Sequence, residues 1–257
     1  ALLEWFGIWG TAWVAALLDI IAALIALGLA VRLNETGVLE TQPSAPISRP
    51  NVRARCILGA AFLSGGALLA LEVVWFRFLH LFVPATTLAF SIMLAVVLTG
   101  IGLGGALAGL WVGRTPDAFR KAPFLALGAS VGVALTYRGF AYVLSAYGTA
   151  YIGKISDILI LGLALMFPVS LLSGFLFTLT GTALHREIQP DTRSAGLLTL
   201  ANTTGAGLGS LCAGFLLLPR LGMENSYFLI VLVYIPVAFL LYGKPASLRK
   251  FFRYVVL

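Results

Sequence analysis

The residues whose types could do chemistry are few and scattered. In TGIGLGGALAGLWVG (99–113), Gly100, Gly102 and Gly105 fall on the G-x-G-x-x-G spacing of a dinucleotide-binding turn. Asp19, Glu72, Arg77, His80 and Arg138 are ionisable residues set in otherwise apolar runs. In hydrocarbon that pattern marks an ion pair, a proton relay or a ligand site. Asn202, Thr203 and Thr204 add a polar patch, HREIQPDTR (185–193) a mixed-charge stretch, and Cys56 and Cys212 two thiols. No hydrolase triad, metal-ligand spacing or paired-carboxylate acid–base pattern is present, so no catalytic residue, metal or cofactor is expected.

The elements that must position these residues follow from composition. Hydrophobic residues make up 60% of the 257, charged residues 11%, and the mean hydropathy is +1.00. A soluble domain has about 45–50% apolar and about 25% charged residues. The expected fold is therefore all-α, a polytopic transmembrane helical bundle. Seven stretches are apolar and long enough to span: 12–31, 56–80, 86–112, 123–146, 158–182, 195–218 and 226–242. Residues 1–31 read as a single transmembrane helix and 32–55, with Pro43, Pro46 and Pro50, as a cytoplasmic linker. A six-helix membrane unit over 56–242 and a basic cytoplasmic tail over 243–257 complete the division.

Orientation follows from lysine and arginine. Arg32, Arg49, Arg53, Arg55, Arg114, Arg120, Lys121, Arg186, Arg193, Lys244, Arg249, Lys250 and Arg253 fall in one set of connections, whereas Lys154 and Arg220 fall in the alternate set. The positive-inside rule then puts the beginning of the chain outside and its end in the cytoplasm. The net charge of +7 is accounted for by this rim facing anionic lipid, so nucleic acid is not an expected partner and the lipid bilayer is. No cleavable secretory signal is visible in the opening ALLEW, which lacks a methionine or a basic stretch, and the first residue is expected not to be the gene's first. GIWGTAWVAALLDIIAAL from Gly7 weakly resembles GMENSYFLIVLVYIPVAF from Gly222, as if the first helix closed an earlier unit of the same kind.

In this setting a phosphate-gripping turn is excluded, because bare polar backbone facing lipid is too costly. The glycines instead recur at helical spacing: Gly100 and Gly104, then Gly105, Gly109 and Gly113. They expose backbone to a close neighbour, and the expected partner is the sixth span with Gly205 and Gly209. Asp19, Glu72 and Arg138 share a layer roughly 10–12 Å below the outer surface, with Arg77 nearer that surface and His80 at it. Structural pairing, with Glu72 or Asp19 facing Arg138, is the first expectation for this polar cluster, and a ligand or proton site the second. Asn202, Thr203 and Thr204 are a second polar site, either helix-to-helix hydrogen bonds or substrate contacts. Pro168 should kink the fifth span, with Ser170 and Ser173 serving freed carbonyls. HREIQPDTR reads as a solvated turn, and the cysteines as apolar filler.

FLSGGALLALEVVWFRFLHLF (62–82), AFSIMLAVVLTGIGLGGALAG (89–109) and AGLLTLANTTGAGLGSLCAGFLLLPRLG (195–222) together resemble the membrane part of fused, multi-spanning spermidine synthase-like proteins, a family similar to the major facilitator superfamily. Its Glu-x-x-Trp-x-Arg pattern is met by Glu72, Trp75 and Arg77, and its Asn-x-x-Gly-Ala stretch by Asn202, Gly205 and Ala206. The resemblance implies a bacterial cytoplasmic membrane and a cytoplasmic aminopropyltransferase-like domain beyond Leu257, which this sequence does not contain. GLWVGRTPDAFRK loosely matches the basic loop of the major facilitators but lacks its Asp-Arg-x-Gly-Arg core.

The first functional expectation is a non-catalytic membrane module that anchors a synthase-like domain or serves as a subunit among other membrane proteins. The alternatives are a transporter-like bundle for a polyamine or related small metabolite, and the membrane part of an aminopropyltransferase whose catalytic domain lies elsewhere.

Overall fold

The computed structural model describes residues 50–84, 86–115, 117–145, 152–188 and 191–242, together with helical positions between Gly10 and Gly28. The chain divides into two compact units, Ala1–Ser48 and Arg49–Leu257. In the first, the described residues from Gly10 to Gly28 are helical, with Trp13, Leu17, Ile20 and Leu24 exposed. Asp19, residues 32–49 of the expected linker and the tail over 243–257 lie outside the described residues, and the last residues of that linker, from Val52, belong to the first helix of the second unit.

The second unit is all-α. Its helices are α1 (Val52–Leu79), α2 (Thr87–Arg114), α3 (Ala122–Ser145), α4 (Ile155–Leu165), α5 (Phe167–His185), α6 (Asp191–Cys212) and α7 (Leu218–Tyr242). A 3-10 turn (Ala118–Lys121) precedes α3 and a π-turn (Ala213–Leu217) joins α6 to α7. Among the described residues, five helical stretches are long and apolar enough to cross a membrane. Their outward faces carry Phe124, Leu135, Leu208 and Phe215, all more than half exposed. Such side chains are stable only against lipid, and the protein is an integral membrane protein. Alanines line much of the interior, including Ala60, Ala61, Ala67 and Ala70 of α1. Small residues inside and large ones outside suit helices whose association gains contact rather than escape from water.

Local chemistry sets the ends. Asn51 caps α1 by accepting from the Ala54 N–H (2.7 Å), and Thr86 caps α2 by accepting from Ala89 (3.2 Å). The expected fifth span is two helices. It breaks at Met166, so that Pro168 lies in the first turn of α5, where its missing N–H costs little. Ser170 Oγ donates to the Met166 carbonyl at the break (2.9 Å), but Ser173 instead lies 3.4 Å from the Tyr234 hydroxyl.

Residues 192–242 form one helical stretch of 51 residues, roughly 75 Å at 1.5 Å per residue and too long for one crossing. The break is Gly222, at φ 75° and ψ 179°, a conformation open essentially to glycine alone. Gly205 and Gly209 of α6 lie against Phe62 and Gly66 of α1, so these helices run in the same direction. Beyond Gly222 the direction is opposite, since Arg53 at the start of α1 donates to the Leu241 carbonyl near the end of α7 (2.9 Å). The chain therefore turns back at Gly222, and residues after it make a sixth crossing.

Candidate functional site

The glycine stripes are the closest approaches in the bundle. A Cβ on Gly104 would land on the Leu171 carbonyl of α5, and one on Gly174 of α5 would land on the Ile101 carbonyl of α2. Gly100 meets Ser170 and Leu171. In the other seam, a Cβ on Gly205 would strike the Phe62 carbonyl of α1, and one on Gly209 the Gly66 carbonyl. The stripes of α2 and α6 thus do not face one another as expected. Each has its own partner, α5 and α1 respectively, because each finds a complementary small-residue strip in the other half of the bundle. A Cβ on Gly105 would make ordinary contacts with Thr178 (3.4 Å) and the Gly174 carbonyl (4.0 Å), and Gly109 and Gly113 face open space. All three fingerprint glycines lie within one continuous helix, so no dinucleotide-binding turn exists here.

Those two seams are related. Within α2, TGIGLGGALAG (99–109) matches TGAGLGSLCAG (204–214) of α6 and the following turn, and Leu63-Ser64-Gly65 of α1 matches Leu172-Ser173-Gly174 of α5. The first long helix of each half packs in parallel on the second helix of the other. α3 and α7 close the arrangement, with Ser130 donating to the Val231 carbonyl (3.1 Å) and Tyr227 to the Val133 carbonyl (2.6 Å). α1 begins at the end of the bundle that holds Arg53, Arg55 and Arg186, and the α4–α5 crossing ends there, so the halves are inverted. The six crossings thus form a three-plus-three inverted repeat. The sequence reading missed it, although the repeated Thr-Gly, Gly-Leu-Gly and Ala-Gly were a readable signal.

Where the two seams meet, a cleft of about 270 Å³ opens at the mid-length of the helices. Its walls come in pairs that obey the repeat: Ser64 with Ser173, Gly65 with Gly174, Leu68 with Phe177, and Ile101 with Ala206. Leu69 and Asn202 complete it. Asn202 is half-buried against Gly65, and among the described residues its amide has no hydrogen-bond partner. Its amide is therefore left available to a polar ligand or to water in the cleft. Thr203 and Thr204 do not join it. Both are exposed, and Thr204 donates back to the Leu200 carbonyl (2.7 Å), so the second polar site reduces to Asn202.

The expected charge cluster is not assembled. Glu72 is half-buried three and four residues beyond Leu69 and Leu68, on the cleft's face of α1. Arg77 and Arg138 are exposed, and among the described residues neither pairs with Glu72. Glu72 and Arg138 share a depth, each seven residues from the end of its helix. They differ in azimuth. Tyr137 turns inward, its ring tilted against Tyr227 at 4.8 Å and near Phe78 at 5.9 Å, and the next residue must therefore point about 100° away. Asp19 lies outside the described residues. His80 caps α1 and is half-buried, and among the described residues its Nδ1 has no partner.

The HREIQPDTR stretch is more than a solvated turn. Arg186 reaches Asp117 (3.3 Å) and covers the Phe119 ring at 4.3 Å, while Glu187 accepts from the Asn51 side chain (2.9 Å). These contacts tie the end of α5 to the α2–α3 connection and to the cap of α1. Cys56 and Cys212 are both free thiols.

Compared with known protein families, curated proteins and solved structures, the chain matches none.

Proposed function

We propose that the six-crossing unit is a solute-translocating half of a membrane transporter, with its path through the cleft between the two glycine seams. The observation that carries this reading is the cleft's position at mid-length on the repeat axis, lined in pairs by both halves. Transporters of inverted-repeat design bind their solute at such a place. Asn202 supplies an unpartnered amide there and Glu72 a carboxylate without an ion pair on the same face of α1. An unpaired intramembrane acid costs several kcal/mol as an ion and is retained where it faces a wet path or a cation. The solute is therefore a small polar molecule with a hydrogen-bonding group for Asn202 and a positive charge or a transferable proton for Glu72. In this reading the basic end faces the cytoplasm of a bacterial cell, and a polyamine is one solute of the required type.

The test is solvent access. In a Cys56→Ala, Cys212→Ala background, single cysteines at Ser64, Leu69 and Ser173 should react with a membrane-impermeant methanethiosulfonate reagent, while a cysteine at lipid-facing Leu208 should not. Uniform protection of the three cleft positions would defeat the reading.

A second reading is favoured by the seams themselves. Backbone contact along α1–α6 and α2–α5 makes a stiff platform, suited to anchoring a synthase-like catalytic domain or to serving as one subunit of a larger membrane complex. It predicts no uptake and no effect of Glu72→Gln on the bound domain.

A further inference from the structure

At the end of the bundle away from Arg53 and Arg186, a separate cavity of about 250 Å³ lies between α1, α3 and the start of the last crossing. Four aromatic side chains, Trp75, Phe78, Tyr137 and Tyr227, form its wall together with Glu224. The rings are held in place. Tyr137 packs at a tilt of 35° on Tyr227 (4.8 Å), Phe78 packs on Phe140 (5.0 Å), and the Tyr227 hydroxyl is fixed by its bond to the Val133 carbonyl (2.6 Å). Glu224 is exposed and, among the described residues, is the one charged side chain lining the cavity and makes no ion pair. Arg77 lines the neighbouring cleft, which shares Met223 with this one. The Trp75 indole is fully buried, with its Nε1 beside the Tyr227 hydroxyl.

These features are independent of the cleft at mid-membrane. Clustered aromatic faces attract a cation through their quadrupoles, and do so most strongly when water is excluded. A carboxylate at the rim compensates the charge. The cavity is smaller than the roughly 300–1,000 Å³ typical of drug-sized ligands, so it suits a small head group. The geometry points to a binding site for an organic ammonium group. Such a group occurs in free amino alcohols and in the head groups of ethanolamine lipids, and Phe78 and Glu224 put the outer rim of the site within one turn of the end of α1 and of the reversal at Gly222.

The full chain is reconstituted in nanodiscs of phosphatidylglycerol and titrated with tetramethylammonium chloride or ethanolamine hydrochloride, against sodium chloride at equal ionic strength. In a second arm, phosphatidylethanolamine replaces part of the lipid. Thermal unfolding is read in both arms and ligand NMR line width in the first. A saturable rise in Tm in the first arm supports the site with a free ammonium as ligand. A rise in the second arm alone supports it with the lipid head group as ligand. Tyr137→Leu and Glu224→Gln should each weaken the effect about tenfold, the loss expected when a desolvated cation loses one partner. Glu224 is exposed, so Glu224→Gln keeps the fold and decides the matter if Tyr137→Leu does not fold. No rise in either arm, or an effect unchanged by Glu224→Gln, would overturn the proposal.

Discussion

Replacing Gly104 and Gly102 by alanine, one at a time, separates the packing account of the glycines from every other. Both lie in the interior of α2, two residues apart, and both variants gain the same relief of backbone entropy. Their difference is then the packing term alone. A methyl group on Gly102 meets nothing within 4 Å, whereas one on Gly104 falls on the Leu171 carbonyl of α5. A carbon must keep about 3.3 Å from a carbonyl oxygen, so α5 has to retreat by roughly an ångström. A gap of that size forfeits about a quarter to a half of each contact along the seam. Overpacking of this kind costs about 1–3 kcal/mol, and Gly104→Ala should be less stable than Gly102→Ala by that amount. Reversible unfolding in mixed detergent–SDS micelles, followed by far-ultraviolet circular dichroism, measures the difference. The pair Gly205→Ala and Gly207→Ala repeats the experiment in the second seam, with Phe62 as the obstacle. Equal stability of Gly104→Ala and Gly102→Ala would refute the seam, and equal damage by both would revive a turn that needs every glycine.

Glu72→Gln should raise stability by about 1–2 kcal/mol in the same unfolding assay, because it removes an unpaired half-buried charge, and it should abolish uptake if the cleft is a path. Asn202→Leu should leave the protein folded and block both thiol labelling and uptake, since it fills the cleft and removes its amide. Asn51→Ala should cost about 1–2 kcal/mol, the worth of an N-cap, with a further small loss from the bond to Glu187. Asp117→Ala should change stability by less than about 1 kcal/mol despite its contacts with Arg120 (3.7 Å) and Arg186 (3.3 Å), all three side chains being substantially exposed.

The crossings were legible because the bilayer sets a length that hydropathy can be measured against. The stretches 56–80, 86–112 and 123–146 correspond to α1, α2 and α3, and 158–182 to the crossing shared by α4 and α5. The break at Met166 fell two residues before the proline that announced it, since proline is comfortable at the start of a helix and not within one. The reversal at Gly222 was placed by the apolar gap before 226, but its dependence on a positive φ needed the backbone. Of the polar candidates, Asn202 could be marked as intramembrane and Glu72 as charged at depth. Their relation to one cleft could not, because it depends on the inverted pairing of α1 with α6 and of α2 with α5.

Sequence by itself determined how deep each residue lies and which faces carry no side chains, since both follow from position along a helix of known rise in a slab of known thickness. Only the tertiary structure decided which bare faces meet. Lipid and helix are equally apolar, so partners are chosen by the fit of backbone against backbone across the seam, and that fit is a property of two helices together. For the same reason Glu72 and Arg138 share a depth without sharing a contact.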